Sequence, residues 1–136
     1  GYCSDVTRCV WTGNPPEEFI NLYDVLKFAQ SEQVKAATSG TPAQEIDRIG
    51  RKIINDEGFG QYFIHRTGHG IGVEAHEDPY IVEGNATPVS SGNVFSIEPG
   101  IYIPGKWGAR LEDIVAVTDD GPRSLNTADH DLAILG

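Results

Sequence analysis

The chain has 136 residues, a length that suits one domain built around a single hydrophobic core. Its 20 acidic residues against 10 Lys plus Arg give a formal net charge of −10. This charge excludes a broad nucleic-acid or anionic-membrane surface, because such binding depends on Lys and Arg neutralising phosphates. No apolar run has the length of a transmembrane span. From the charge and the absence of such a run, we expect the protein to bind neither nucleic acid nor a membrane and to be cytoplasmic.

The beginning of the chain predicts a strand followed by a long helix. Residues 2–11 mix apolar and β-branched side chains, as strands do, and a glycine and two prolines follow them. Asn14 can cap a helix that has Pro15 in its first position. The break at Gly40 ends this amphipathic helix after about five turns. Its apolar residues at helical spacing are Phe19, Leu22, Leu26 and Ala29.

A second helix is predicted directly after the first. Thr41 and Gln44 have the spacing of a capping box, in which each side chain satisfies a free backbone N–H group, and Gly58 suits the C-terminal cap. The apolar stripe of this helix consists of Ile46, Ile49, Ile53 and Ile54. We interpret both helices as structural cover whose polar faces are solvated.

Short β-like runs separated by glycines follow the helices, and they predict an α+β fold. The expected strands are residues 61–64, 94–97, 100–103, 111–118 and 132–135, with a turn at residues 119–122. One early strand, two helices and then several strands favour helices on one face of a largely antiparallel sheet.

Three of the four histidines fall in one short stretch, HRTGHGIGVEAHEDP, as His65, His69 and His76. Its glycines disfavour a helix, and in an extended segment His65 and His69 lie on the same face because side chains alternate. The glycines also allow a substrate or another backbone to approach closely. The stretch is therefore a candidate site.

Acidic residues stand at comparable positions near strand ends. Glu98 follows the run VFSI, just before a Pro-Gly turn, and Asp5 lies in the first expected strand. Glu112 shares a strand face with Arg110 and Ile114, among largely apolar neighbours. A carboxylate in such surroundings is costly unless it meets a cation or a metal ion.

Imidazole and carboxylate groups together are ligands for a divalent ion such as Mn, Co or Zn. Several carboxylates further suggest two ions that share bridging ligands. Taken alone, a histidine beside glycine is more often a satisfied surface residue, and Arg110 with Glu112 is more often a plain ion pair. The two features together favour the metal site.

The blocks GYCSDVTR, HRTGHGIGVEAHEDP, VFSIEPGIYIPG and GARLEDIVAVT resemble the signature blocks of the pita-bread metallopeptidases. That family includes methionine aminopeptidase, aminopeptidase P and prolidase, and the resemblance covers nearly the whole chain in the right order. His65 four residues before His69, and a final glutamate in Arg-Leu-Glu-Asp, favour the Xaa-Pro dipeptidase and Xaa-Pro aminopeptidase branch. A methionine aminopeptidase is the less favoured alternative.

The resemblance implies a curved, largely antiparallel sheet covered by helices and a centre with two divalent ions, Mn ahead of Co or Zn. It implies that Asp5 is a bridging ligand, that His69 and Glu98 hold one metal, and that Glu112 bridges both. A hydroxide between the ions would then attack the peptide bond of a proline-containing peptide or dipeptide.

The remaining site residues take their roles from the same resemblance. His65 and His76 would face the substrate and steady its carbonyl oxygen. Glu98 would accept the proton of the attacking water and pass it to the proline nitrogen. Arg110 would orient the carboxylates and offset their charge.

The family has a further Asp ligand in the strand that precedes the GYxSD block, and no Asp lies before Asp5 here. We therefore expect residues 1–136 to form a partial, N-terminally incomplete catalytic domain that holds one metal ion or none and is inactive alone. An unpaired strand edge near Gly1 would allow a homodimer to form. The alternatives are a non-catalytic pita-bread module that binds peptides or proteins, and a creatinase-type hydrolase without metal.

Overall fold

Two α-helices and nine β-strands follow one another in the computed structural model, which describes all of residues 1–136. Helix α1 spans Glu17–Ala36, helix α2 spans Ala43–Asp56, and a 3₁₀ turn follows at Gly60–Tyr62. Neither α-helix combines the length and the apolar character needed to cross a bilayer. Each helix instead has one buried face, as its apolar spacing predicts.

The strands form one main sheet and two smaller pairs. In chain order they are β1 (Val10–Thr12), β2 (Gly68–Gly70), β3 (Glu77–Ile81), β4 (Val94–Ile97), β5 (Gly100–Ile103), β6 (Trp107–Arg110), β7 (Asp113–Thr118), β8 (Gly121–Ser124) and β9 (Ala133–Leu135). The main sheet has the order β3-β2-β4-β7-β8, and every neighbouring pair in it is antiparallel. The pair β5-β6 is an antiparallel hairpin, and β1 pairs with β9 in parallel. The predicted α+β class is confirmed.

The core consists of two apolar clusters, and each joins a helix to strands. In the first cluster Leu22 and Leu26 of α1 pack with Ile101 and Leu111 beside the β5-β6 hairpin. In the second, Ile46 of α2 lies among side chains of the main sheet, namely Ile81, Phe95, Ile97, Val115 and Val117. Burial of these side chains against the strands holds both helices next to the segments that carry the polar motifs.

Both helices begin without the side-chain caps that the sequence predicts. Helix α1 begins at Glu17 after Pro16, and Asn14 donates or accepts no capping bond. At α2, the hydroxyl of Thr41 lies 3.0 Å from that of Thr38, so the capping box does not form. The free N–H groups of Ala43 and Gln44 instead donate to backbone carbonyls of the loop after β3. The predicted C-terminal glycine is correct, since Gly58 has φ +84°.

The strand predictions are correct for β4, β5, β7 and β9, and of the strand predicted over residues 2–11 only its end is present, as β1. Residues 2–9 form no strand apart from an isolated bridge at Thr7, because their backbone bonds go to separate partners, Gly72 and Glu112. The strand predicted over residues 61–64 is absent, since a 3₁₀ turn at Gly60–Tyr62 takes its start, and β8 begins at Gly121, within the turn predicted over residues 119–122. Strands β2, β3 and β6 were not predicted, since they contain Gly or Pro. Pro79 is accommodated because β3 is an edge strand.

The glycines around His69 allow close backbone packing, as the sequence predicts. A Cβ atom on Gly68 would lie 1.8 Å from the carbonyl oxygen of Ser96 on the neighbouring strand. A Cβ atom on Gly70 would lie 2.3 Å from the carbonyl oxygen of Asp78. Strand β2 can therefore sit between β3 and β4 only when both positions lack a side chain.

We predict that Gly68→Ala lowers the free energy of unfolding by about 3 kcal/mol, because the overlap involves backbone that cannot rotate away. Gly105→Ala is the control, since Gly105 has φ +73° but open space around it, and its cost is about 1 kcal/mol. Urea denaturation measures both. Equal losses for the two variants would contradict the packing argument.

Candidate functional site

One cleft of about 620 Å³ contains every site residue that the sequence predicts. The predicted residues that line it are Asp5, His65, His69, His76, Glu98, Arg110 and Glu112. Arg66 and Val82 complete the lining, and Val82 is its single aliphatic residue. The structure thus gathers residues that lie as far apart as positions 5 and 112 around one polar cavity.

The centre of the cleft is formed by Asp5, His69 and Glu112, whose ligand atoms all lie within 4.8 Å of one another. Glu112 is 1% exposed, and its Oε2 atom accepts a 2.5 Å hydrogen bond from the hydroxyl of Thr7. Its other oxygen, Oε1, is buried and has no hydrogen-bond partner. Burial raises the pKa of Glu112, and the negative charges of Glu98 and Asp5 raise it further.

His69 is buried, and its ring is oriented by its surroundings. Its Nδ1 atom lies 3.0 Å from the carbonyl oxygen of Gly70, which can only accept, so Nδ1 carries a proton and Nε2 is the ring nitrogen that faces the acidic centre. Nε2 lies 3.1 Å from Oε1 of Glu98. The hydroxyl of Ser96 accepts from the backbone N–H of His69 and donates to the same Glu98 oxygen, which connects β2 to the end of β4.

The guanidinium of Arg110 lies at the rim of this acidic centre. Its Nε atom is 3.8 Å from Oε2 of Glu98 and 3.9 Å from Oε2 of Glu112, and it donates to the hydroxyl of Thr7 at 3.3 Å. One cation therefore faces two of the three carboxylates. This position fits the predicted role of offsetting their mutual repulsion.

His65 and His76 lie on either side of His69 in the cleft. The ring of His76 is 3.9 Å from that of His69, measured between centroids. The Nδ1 atom of His65 lies 2.8 Å from the carbonyl oxygen of Arg66, so its Nε2 accepts from the hydroxyl of Tyr102 at 3.1 Å. Burial raises the pKa of Tyr102, which keeps this hydroxyl protonated as a donor.

Thr7, Ser96 and Tyr102 are site residues that the sequence analysis missed. A signal for the first two exists, because each lies two residues from a predicted ligand: Thr7 from Asp5 and Ser96 from Glu98. Side chains two apart share a face in extended backbone. Tyr102 has no comparable signal, since its contact with His65 is made across the β5-β6 hairpin.

A buried polar network on the far side of Glu112 holds the two segments of the centre together. Arg8 donates to the backbone carbonyls of Thr7 at 3.0 Å and Glu112 at 2.6 Å, and it pairs with Asp113 at 2.7 Å. His130, the fourth histidine, donates to the second oxygen of Asp113 at 2.6 Å. The network is outside the cleft and fixes the backbone that carries Asp5 and Glu112.

Helix α2 holds the segment that leads to His65 and His69, so the interpretation of the helices as mere cover is wrong. Asp47 is fully buried, accepts two bonds of 2.9 Å from Arg51, and accepts one from the backbone N–H of Thr67. Arg51 donates in turn to the carbonyls of Phe63 and His65. Asp and Arg four residues apart resemble an ordinary surface pair, which is why the sequence does not reveal this role.

The residues of the centre fit a divalent cation. The unpartnered oxygen of Glu112 and the Nε2 atom of His69 are both ligand atoms of the kind such ions take. Without a cation, several carboxylates at this depth repel one another. The donor set of carboxylates and one imidazole contains no thiolate, so it suits harder ions.

The fold and the cleft together define an α+β domain with a candidate site for a divalent metal ion. The chain belongs to metallopeptidase family M24, whose sequence model matches residues 1–119. It is 47% identical over 135 residues to the probable dipeptidase PepE of Mycobacterium tuberculosis, and the aligned region covers 99% of this chain and 36% of PepE. It is also 47% identical to the Xaa-Pro dipeptidase of Lactobacillus delbrueckii subsp. lactis, covering 37% of it.

A solved structure confirms the pita-bread fold that the resemblance implies. The recombinant prolidase from Thermococcus sibiricus matches with a TM-score of 0.96 at 49% identity, over 98% of this chain and 36% of that one. The chain therefore spans about a third of the length of these relatives. Their names confirm the resemblance to the Xaa-Pro branch of the family.

We predict that Thr7→Val raises the dissociation constant for Mn²⁺ about 10- to 100-fold, because Glu112 loses its hydroxyl donor and Arg110 loses an acceptor. Thr7→Ser is the matched control, since it retains the hydroxyl and should bind nearly as tightly as the wild type. Isothermal titration calorimetry measures the affinities. Equal affinity of the Val variant and the wild type would refute the role of Thr7.

A second prediction concerns the metal-free protein and the buried charge of Glu112. Because folding raises the pKa of Glu112 above its usual value of 4.5, folding is favoured below that value and loses this contribution as pH rises through the raised pKa. Each unit of raised pKa is worth about 1.4 kcal/mol. Compared with Glu112→Gln, the wild type should therefore show a free energy of unfolding that falls as pH rises from 4.5 through the raised pKa of Glu112.

Denaturation with urea across pH 4 to 8 on both proteins isolates the Glu112 contribution from other titrations. Addition of Mn²⁺ at 100 times its dissociation constant should stabilise the wild type by about 2.7 kcal/mol and the Gln variant much less. Parallel pH curves for the two metal-free proteins would contradict the prediction.

Proposed function

We propose that the protein hydrolyses the peptide bond before proline, as a divalent-metal Xaa-Pro dipeptidase or Xaa-Pro aminopeptidase. The observation that carries this proposal is the convergence of Asp5, His69, Glu98 and Glu112 in one cleft of an M24 chain. Relatives of known name support the proline preference, since one is an Xaa-Pro dipeptidase and another a prolidase. Within the whole protein, residues 1–136 would be part of the catalytic domain.

The acidic centre would hold two divalent ions, with Mn²⁺ preferred over Co²⁺ or Zn²⁺. Asp5, Glu112, Glu98 and the Nε2 atom of His69 would hold the ions. When bound, such ions supply a water that is acidic enough to lose a proton near neutral pH and polarise the scissile carbonyl. Thr7 and Ser96 keep Glu112 and Glu98 in position.

Glu98 is the proposed proton carrier of the reaction. Its Oε1 atom is held by Ser96 at 2.9 Å, whereas Oε2 faces Arg110 at 3.8 Å, beyond hydrogen-bond distance. Oε2 is therefore available to accept a proton from the attacking water and to deliver it to the nitrogen of the leaving proline. This transfer is needed because an amine leaves a peptide bond only after protonation.

His65 and His76 are proposed to bind the substrate carbonyl. Both line the cleft beside His69, and neither contacts a carboxylate. A ring N–H of His76 directed at the carbonyl oxygen would stabilise the negative charge that develops there during attack. Both ring nitrogens of His65 are engaged, by the Arg66 carbonyl and by Tyr102, so His65 would bind the carbonyl by exchanging its Tyr102 partner for the substrate. Tyr102 would position His65 through the bond to its Nε2 atom.

The proposal is tested with the full-length gene product that carries this chain, supplied with Mn²⁺ and Leu-Pro. Wild type should cleave the dipeptide, and Glu98→Gln should lower kcat by about 100- to 10,000-fold through loss of proton transfer and a ligand. Glu83→Gln is the matched control, because Glu83 is an exposed carboxylate paired with Arg48 outside the cleft. That variant should retain wild-type activity.

Absence of metal-dependent cleavage of any Xaa-Pro substrate would overturn the proposal. If the full-length protein contained no bound metal and were not activated by any, the result would favour the non-catalytic binding module, because such a module functions without metal ions. Removal of N-terminal methionine without cleavage of Xaa-Pro bonds would favour a methionine aminopeptidase.

A further inference from the structure

A segment between β8 and β9, residues 125–131, packs against the candidate metal centre from outside the cleft, and we call it the strap. It lies beyond residues 1–119, which the family model matches, and none of its residues lines the cleft. At its start, the backbone N–H of Leu125 donates to the carbonyl of Ile114 at 2.8 Å. Because Ile114 is two residues after Glu112, the strap lies next to the segment that carries this carboxylate.

Two further contacts fix the strap to the rest of the fold. The carbonyl oxygen of Ala128 accepts from Arg8, at 3.2 Å from Nε and 2.9 Å from Nη2. The carbonyl oxygen of His130 accepts from the hydroxyl of Tyr23 at 2.9 Å. Burial raises the pKa of Tyr23 to about 12, which keeps this hydroxyl protonated as a donor. A side chain that projects from the strap therefore has a defined position.

Asn126 of the strap joins the two segments that carry Asp5 and Glu112. Its Nδ2 donates to the backbone carbonyl of Asp5 at 3.1 Å, and its Oδ1 accepts from the backbone N–H of Ile114 at 2.6 Å. A carbonyl can only accept and a backbone N–H can only donate, so the two partners together fix the orientation of the carboxamide. One side chain thus ties the backbone at Asp5 to the backbone just beyond Glu112.

Asp5 depends on such a tie more than the other groups of the centre do. The carboxylate of Glu112 is held by the hydroxyl of Thr7, and the ring of His69 is oriented by the Gly70 carbonyl. Asp5 takes part in one hydrogen bond, through its backbone carbonyl, and in none through its carboxylate. The position of that carboxylate therefore follows from the position of its backbone.

We propose that Asn126 is a positioning residue that keeps Asp5 at metal-binding distance from Glu112 and His69, and that it thereby sets the affinity of the centre for divalent ions. This inference rests on the proposed function, because it takes the centre as a metal site. The ligand atoms of these three residues lie within 4.8 Å of one another. Metal–ligand distances tolerate deviations of only about 0.2 Å, so a small backbone shift at Asp5 weakens binding.

Asn85 provides a matched control within the same chain. Its Nδ2 donates to the backbone carbonyl of Tyr80 at 2.7 Å, and its Oδ1 accepts from the backbone N–H of Thr87 at 3.2 Å. Asn85 is half-buried like Asn126, and neither it nor its two partners line the cleft. Alanine at either position removes one bond of each kind, but only Asn126→Ala releases the segment of a proposed ligand.

The test titrates Mn²⁺ into the metal-free full-length gene product by isothermal titration calorimetry. Asn126→Ala should raise the dissociation constant for Mn²⁺ about 10- to 100-fold, the usual effect of removing a group that orients a metal ligand. Asn85→Ala should bind Mn²⁺ as tightly as the wild type. Urea denaturation should show similar losses of stability in the two metal-free variants, because each has lost the same pair of hydrogen bonds.

Kinetics with Leu-Pro separate positioning from a direct role in the reaction. At Mn²⁺ concentrations near the wild-type dissociation constant, Asn126→Ala should lose most of its activity. At concentrations well above its own dissociation constant, its kcat should return to nearly the wild-type value with KM for Leu-Pro unchanged, because Asn126 lies outside the cleft. Asn85→Ala should show the Mn²⁺ dependence of the wild type.

Equal Mn²⁺ affinity of Asn126→Ala and the wild type would overturn the inference. Equal weakening in Asn126→Ala and Asn85→Ala would overturn it as well, because it would indicate a general loss of stability. A wild type that binds no Mn²⁺ would overturn both the inference and the proposed metal centre. Mn²⁺ binding without cleavage of any Xaa-Pro substrate would overturn the proposed function alone, and the affinity comparison would still decide the role of Asn126.

Discussion

The pairing of Thr7 with Glu112 is the interaction on which the rest of the site depends. The two residues exchange backbone hydrogen bonds, and the Thr7 hydroxyl donates to the Glu112 carboxylate. Arg8 binds both backbone carbonyls from the opposite side, so the contact is held from two directions. This is the strand-like pairing that joins the segment carrying Asp5 to Glu112, and Asn126 adds a second link by donating to the Asp5 carbonyl while accepting from the backbone N–H of Ile114.

The contact between Thr7 and Glu112 also concentrates negative charge in the cleft. Asp5, Glu98 and the buried Glu112 converge in one polar cleft, and one guanidinium, that of Arg110, lies near two of them. A folded chain tolerates such a cluster at a cost in stability, since each buried carboxylate has lost hydration. A bound cation offsets that cost. The same groups that weaken the metal-free fold are therefore those that a bound divalent cation would stabilise.

The helices contribute to the site through polar side chains as well as through the core. Asp47 and Arg51 of α2 bind the backbone around His65, and Gln33 of α1 donates to the hydroxyl of Thr67 at 2.7 Å. The side chain of Gln33 fits there because Gly50 of α2 has no Cβ to displace it. Tight contact between the two helices thus determines where the histidine segment runs, and with it the distance between His69 and the carboxylates.

The sequence by itself determined the α+β class, both helices, four of the strands and the identity of the polar residues. Periodicity, glycine breaks and motif order are local properties, and they survive without knowledge of the fold. Only the tertiary structure decided that residues 2–9 form a bridge in place of a strand and that Arg8 and Asp113 support the centre. It also decided that Arg110 lies near two carboxylates whereas Arg66 pairs with none. The first two outcomes depend on groups that meet across more than a hundred residues, and the third depends on which carboxylates lie near each guanidinium after folding, so no local pattern encodes them.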